Sequence, residues 1–420
     1  MTASTNQSEL NKISNEIIRN SLVNFVKKHL KSDDVEICIE CGSKKGDNFQ
    51  GEIFRVLYKE ANNNANENDS SLILKIAAKG GCKNKHDLFV HEINMYEKVL
   101  SYFNEFQLSK GVDPEINGFN EYPECYFSTQ DNMSESVFLE DLRRRGFEMF
   151  NHRKESITFD HVSLFMKALG KFHAISFALK DQQTEKFKHF TSFIPEQFWV
   201  NVQHDIRDVF LSFMDRLTSV LEDEQRFDLL EKFKNATGED SIAFLTGLLS
   251  MASKNPCAVI THGDATINNT MFSKDNHGKP NEIQIFDWQC SRFSSPVLDL
   301  VIYLFCSATK ELRDQHYDEF LKIYHNSLSD LLKRLGSDPE KLFPYEELLN
   351  QLKQFGKYVV FVAVIFIQIM FADEDSIPNV SDEQSDKLTD DFFQISDESK
   401  PAYRKHVLDL FIDLDRLGYL

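Results

Sequence analysis

The sequence predicts an α+β protein of two lobes, a small lobe of β-sheet plus helix (residues 1–142) followed by a larger, mainly helical lobe (143–420). Three observations predict it. Three β runs and an amphipathic helix follow one another between residues 35 and 106. A further strand beginning at 135 breaks into charged residues, as a connector does, and from Phe159 onward apolar residues recur at helical spacing. A chain of 420 residues, 41% apolar and 12% aromatic, has the material for two buried cores.

The amino-terminal stretch "SELNKISNEIIRNSLVNFVKKHL" sets Leu10, Ile13, Ile17, Ile18, Leu22, Phe25 and Val26 at helical spacing and has no continuous apolar run, so it reads as a docking helix and not as an export signal. "VEICIECGSKKGDNFQGEIFRVLYK" (35–59) reads as two β runs joined by a Gly-bearing turn, and "SLILKIAAK" (71–79) as a third. Between them "EANNNANENDSS" is too polar to pack and is expected to form a long, mobile hairpin loop. In 86–106, Phe89, Ile93, Tyr96, Val99, Leu100 and Phe103 share one helical face. "ESVFLEDLRRRGF" starts as a strand and turns polar at Glu140, Asp141 and Arg143 to Arg145, which makes 137–142 the connector between lobes. Long amphipathic stretches follow around 205–252, 310–336 and 344–371. Residues 257–288 interrupt them with the short β runs "CAVI", "TMF" and "EIQIFDW", the last two joined by the turn "SKDNHGKPN". Residues 373–400, with ten acidic side chains and two lysines, read as a solvated loop before an amphipathic terminal helix.

Charge and cysteine usage narrow the partners. Lys and Arg number 47 against 66 Asp and Glu, a net charge of −19 that repels phosphate backbones and anionic membrane surfaces, so neither nucleic acid nor membrane is expected. The longest apolar run, "YVVFVAVIFIQIMFA", is about fifteen residues, short of the roughly 20 a membrane span requires, and is assigned to a buried helix. Seven scattered cysteines imply reduced thiols and a cytoplasmic protein, expected to be a monomer. Cys38 and Cys41 form a C-x-x-C without the further ligands of structural zinc, and Ile37 and Ile39 alternate about Cys38 as in a strand, so the pair reads as structural.

Phosphoryl transfer requires groups that hold a nucleotide, neutralise its phosphates and orient an acceptor hydroxyl. They occur here in order. "THGDATINNTMF" (261–272) carries H-x-D-x-x-x-x-N as His262, Asp264 and Asn269: an Asp able to accept the acceptor's proton and an amide oxygen able to reach Mg²⁺. A second metal carboxylate should close the next strand, and Asp287 directly follows "EIQIF"; its neighbours read Asp-Trp-Gln, not Asp-Phe-Gly. Upstream, Lys75 on the third strand and Glu92 on the following helix have the placing of the pair that contacts nucleotide phosphates, against the blander reading of a surface Lys and a solvated Glu. The turn holding Gly46 and Gly51 is the candidate phosphate cover; it is neither a Walker A loop nor G-x-G-x-x-G, and a plain β-turn is the competing reading. Asp299 opens an apolar helix and reads as structural, with bracing of the 262–269 loop as one form of that role; His173 reads as a satisfied core histidine, and Arg143 to Arg145 as a solvated face able to attract an anion.

Taken together, "GDNFQGEIFRV", "LILK", "HEINMYEKV", "YPECYF", "VFLEDLRRRGF", "LGKFHAIS", "THGDATINNTMF" and "IQIFDWQCSRFSSPVLDLVIYL" resemble, in order, the blocks of the ecdysteroid kinase-like (CHK kinase-like) family, over roughly residues 30 to 420. The resemblance implies a protein-kinase-like fold, shared with choline and aminoglycoside kinases, and an ATP- and Mg²⁺-dependent phosphotransferase acting on a small-molecule hydroxyl. Insect members are associated with phosphorylating ecdysteroids and with detoxification. By that match Asp264 is the catalytic Asp, Asn269 and Asp287 the metal ligands, and Lys75 and Glu92 the nucleotide pair. The backbone from Glu140 to Leu142 is then the adenine contact. Other acceptors (a dietary toxin, a glycoside, a choline-like amino alcohol) and a non-catalytic binding protein on the same scaffold are the competing readings.

Overall fold

The computed structural model describes residues 7–42, 51–61, 70–77, 83–130, 134–151, 155–373, 376 and 393–420. Most of the Asn-rich hairpin tip, the turn bearing Gly46 and most of the acidic stretch lie outside these residues.

Helix α1 (Glu16–Leu30) starts where the Asn15 side chain accepts from the Ile17 and Ile18 N–H groups, two of the donors a helix start leaves unpaired. Ile18, Leu22 and Val26, four residues apart, then form one buried stripe. Ile17, read in the sequence as part of that stripe, is 53% exposed, because it sits about 100° around the helix from Ile18. The stripe packs on an antiparallel sheet of β1 (Val35–Cys41), β2 (Gly51–Glu60), β3 (Ser70–Ala77), β4 (Cys125–Thr129) and β5 (Ser136–Glu140), ordered β1-β2-β3-β5-β4. Ile37 and Ile39 point inward and Cys38 outward, as alternation requires. Edge strand β4 is short and without a fully buried residue, so it carries no periodic signal in the sequence.

Helix α2 (Lys83–Asn94) passes through a π-helical stretch, Met95–Leu100, into α3 (Ser101–Ser109). Phe89, Ile93, Tyr96, Val99, Leu100 and Phe103 are all buried, and they join the core of the large lobe, not that of the small sheet. The connector after β5 is a single 3-10 turn, Leu142–Arg145, closed by Gly146.

Beyond β6 (Glu148–Met149), the large lobe opens with α4 (Phe159–Gln182), α5 (Thr184–Thr191), α6 (Phe198–Asp205), α7 (Arg207–Asp223), α8 (Phe227–Thr237) and α9 (Ser241–Lys254). It closes with α10 (Val297–Cys306), α11 (Lys310–Arg334), α12 (Pro339–Leu342), α13 (Tyr345–Phe355), α14 (Tyr358–Phe371) and α15 (Lys400–Arg416). Helix α4 is long and apolar enough to cross a membrane by length and composition, and most of it is buried in the core; α14 is the buried helix expected from its apolar run.

Four short strands interrupt the helices: β7 (Val259–Thr261), β8 (Thr270–Lys274), β9 (Pro280–Ile285) and β10 (Arg292–Ser294). Their pairing builds the site. In the β8–β9 hairpin Thr270 is opposite Ile285, so the residue before β8, Asn269, and the residues after β9 emerge side by side. The Phe286 N–H donates to the Asn269 carbonyl at 3.1 Å, which brings residue 287 next to the 262–269 loop. The β7–β10 pair, with Thr261 opposite Arg292, closes the other side.

Candidate active site

Lys75 lies on β3 between Ile53 of β2 and Val137 of β5. Its ammonium meets Glu92 of α2 at 2.7 Å and Asp287 at 2.8 Å. One cation thus joins the sheet, the helix and the end of β9, three places 17 to 212 residues apart in the chain. Lys75 and Glu92 are buried, which rules out the surface reading of both. Burial disfavours charge on Lys75, yet Asp287 and Glu92 outweigh it and hold the ammonium well above its ordinary pKa. Glu92 is raised, first by burial and further by the Asp287 charge, with Lys75 opposing.

The 262–269 loop is held from beneath by Asp299. Its Oδ2 accepts from the His262 N–H at 2.6 Å and its Oδ1 from the Gly263 N–H at 2.9 Å, while His173 Nε2 lies 3.3 Å from Oδ2. His173 is in turn 2.8 Å from the Tyr324 hydroxyl, so it is the satisfied core histidine expected, and Asp299 has the bracing form of its structural role. Burial alone would raise the Asp299 carboxyl; the hydrogen bond and charge of His173, with the loop N–H groups, bring it below its ordinary value. The His262 tautomer follows from its two contacts. Nδ1 faces the Asp264 N–H at 3.3 Å and must accept, so Nε2 carries the hydrogen it donates to the Phe286 carbonyl at 3.0 Å.

Asp264, in this loop, is partly exposed. Asn269 Nδ2 donates to the Asp264 carboxylate at 2.8 Å and to the Asp264 carbonyl at 2.9 Å. Its donors are spent there, and the amide oxygen is left for another ligand. Burial and the neighbouring Asp287 charge raise the Asp264 carboxyl above its ordinary value, against His262, Asn269 and Arg292. That direction suits a proton acceptor.

The donor set fits Mg²⁺. Asp287 leaves β9 in the left-handed region at φ +65°, a conformation Asp tolerates better than most residues. Its Oδ1 meets Lys75, and among the described residues its Oδ2 has only a long 3.3 Å contact from Gln289 Nε2. A carboxylate and an amide oxygen are the sparse hard-oxygen ligation that Mg²⁺ completes with water and phosphate. Among the described residues no cluster of three His, Cys, Asp or Glu side chains competes for a metal.

At the connector, the Glu140 N–H is taken by the Glu124 carbonyl, and the Leu142 carbonyl accepts from Gly146 and Phe147. Asp141 between them is buried and accepts from Arg55 Nε (2.7 Å), Ser71 Oγ (2.8 Å) and Arg143 Nε (2.8 Å). Arg143 to Arg145 are exposed, as a solvated face should be. Gly51 is described: a Cβ there would lie 2.3 Å from the Ile76 carbonyl, so close approach of β2 to β3 accounts for this glycine without a phosphate. The other candidate glycine of the turn, Gly46, lies outside the described residues.

Two residues that sequence reasoning passed over complete the site. Arg292 is buried behind the loop and pairs with Glu196 at 2.7 Å. The signal was a lone arginine in the uncharged run "WQCSRFSSPVL".

A two-lobed scaffold that gathers a buried Lys–Glu pair and a partly exposed Asp beside an Asp–Asn loop is that of the kinase-like phosphotransferases. The family model described as the ecdysteroid kinase-like family matches residues 45–337, and the chain belongs to that family. The matched span holds every site residue above and is shorter at both ends than the 30 to 420 of the sequence reading. No curated protein sequence matches the chain.

Proposed function

We propose that this protein transfers the γ-phosphoryl group of ATP, with Mg²⁺, to a hydroxyl of a small molecule, and that the acceptor is an ecdysteroid. The observation that carries the reading is Lys75 in contact with both Glu92 and Asp287, beside a loop whose Asn269 is oriented by Asp264. Burial leaves that ammonium no water to satisfy it, and such a charge set is costly to hold without use. The ecdysteroid acceptor follows the family alone.

In the proposed step the acceptor oxygen attacks the γ-phosphorus as the bond to the β-phosphate bridging oxygen breaks. The hydroxyl proton passes to the Asp264 carboxylate, and ADP leaves with the bonding electron pair. The Asn269 amide oxygen and the Asp287 carboxylate would hold a Mg²⁺ ion, whose chemistry there would be neutralisation of phosphate charge. Lys75, steadied by Glu92, offers its ammonium to the phosphates. Asp299 holds the loop so that the Asp264 carboxylate keeps its direction. The test is phosphorylation, followed by mass spectrometry, of a panel of ecdysteroids, plant glycosides and choline-like amines with Mg·ATP. An ecdysteroid phosphate formed by the wild type and lost in Asp264→Asn supports the reading. Product only from another class moves the acceptor, and no Mg²⁺-dependent ATP binding by calorimetry overturns the function.

A further inference from the structure

The loop that carries Asp264 is tied down from a second side. Arg292 opens β10 and is buried, and its carbonyl accepts from the Thr261 hydroxyl at 3.0 Å. Its Nη2 donates to the Gly263 carbonyl, one residue before Asp264, at 3.0 Å and to the Tyr358 hydroxyl at 2.9 Å. Its Nη1 donates to Glu196 Oε2 at 2.7 Å. Glu196 uses its other oxygen to accept from the Trp199 N–H at 2.9 Å, at the start of α6, and the Trp199 indole N–H donates to the same Tyr358 hydroxyl at 2.8 Å. Next along β10, the Phe293 ring meets Phe187 of α5 edge-on at 5.6 Å. A single planar fork therefore joins the loop, the segment between α5 and α6, and the first residue of α14.

We propose that Arg292 is a positioning residue for Asp264: its guanidinium fixes the Gly263 carbonyl relative to Glu196, so that the loop and the helices α5 and α6 keep one geometry during transfer. Asp299 fixes the N–H groups of residues 262 and 263, whereas Arg292 fixes the carbonyl that follows them, and the two contacts leave the peptide before Asp264 no freedom to rotate. A purely structural ion pair has a different signature. Replacing both partners of such a pair by uncharged residues is often neutral in stability, so a double variant should then restore everything.

The proposal rests on the phosphotransfer reading, and its test separates the two. Wild type, Arg292→Lys, Arg292→Met, Glu196→Gln and the double variant R292M/E196Q are compared by thermal melting. They are also compared by hydrogen exchange of the 259–272 peptide, by calorimetric binding of Mg·ATP, and by product formation with the acceptor panel. In R292M exchange of the loop peptide is expected to rise about tenfold or more. Turnover falls about 10²-fold with Mg·ATP affinity held within about twofold, as a displaced group costs rate and not nucleotide binding. R292K retains part of the turnover. R292M/E196Q regains melting temperature but neither loop protection nor rate. Unchanged loop exchange in R292M, or full recovery of rate in the double variant, overturns the positioning role. If the wild type forms no product, the role is overturned together with the function, even where the exchange data show the tie to be real.

Discussion

Gly263→Ala separates the geometry of the loop from its stability. Gly263 has φ +86°, and a Cβ on it would stand 1.9 Å from the Cys290 carbonyl oxygen and 2.6 Å from the carbonyl carbon. Ordinary contact begins at 3.4 Å, so the loop or the 288–290 turn must retreat by more than about 1 Å. The left-handed backbone adds about 1–2 kcal/mol for any L side chain. On the proposed function, a shift of about 1 Å in the Asp264 carboxylate costs about 10²-fold in rate. Gly278, in the β8–β9 turn, supplies the control: its φ is +77° and nothing lies within 4 Å of where a Cβ would stand. G278A carries the same backbone penalty with no displacement, lowering the melting temperature by about 2–4 °C per kcal/mol and leaving turnover unchanged. The assay is turnover with Mg·ATP and the acceptor panel alongside melting curves. Equal loss of rate in both variants, or a G263A rate within about threefold of wild type, refutes the reasoning.

Three further outcomes are expected. Lys75→Met leaves Glu92 and Asp287 without their shared cation, and Mg·ATP affinity by calorimetry should fall at least about tenfold. Asp299→Asn turns one carboxylate oxygen into a donor that faces an N–H or His173, and urea unfolding should show a loss of about 3 kcal/mol. Asp413 of α15 is buried among Arg313, Lys310 and Arg416, and although burial works against it these cations hold its carboxyl below its ordinary 3.8. A carboxyl depressed in the folded state contributes stability above 3.8 that is lost as pH falls through the folded value. Wild-type melting temperature should therefore drop more steeply than that of Asp413→Asn below about pH 4.

The meeting of Lys75 with Glu92 and Asp287, and of Asn269 with Asp264, was legible in the sequence because the pattern expected for phosphoryl transfer sets these residue types in a particular order along strand, helix, loop and strand. The lobes were legible for a similar reason: period-2 and period-3.6 patterns survive where one face is buried, as in β1 and α1. What was not legible depends on contacts between distant residues. Arg292 and Glu196 are 96 positions apart with no periodic relation, and Asp141 could not be seen to bind Arg55 and Ser71 before β2 and β3 were paired beside β5. Strands β4 and β10 are too short for alternation to register. Ile17 was misplaced because the inward stripe depends on where Asn15 starts the helix. The π-helical stretch after Glu92 leaves no mark in a pattern of apolar residues that fits an α-helix equally well.

The central claim is that Asp264 accepts a proton from an acceptor hydroxyl beside Mg·ATP. It is tested most directly by comparing wild type and Asp264→Asn for Mg·ATP binding and for transfer of radiolabelled phosphate to the hydroxyl panel. Equal Mg·ATP affinity with turnover reduced about 10³-fold in the variant is the predicted result. Turnover in Asp264→Asn equal to wild type would contradict it.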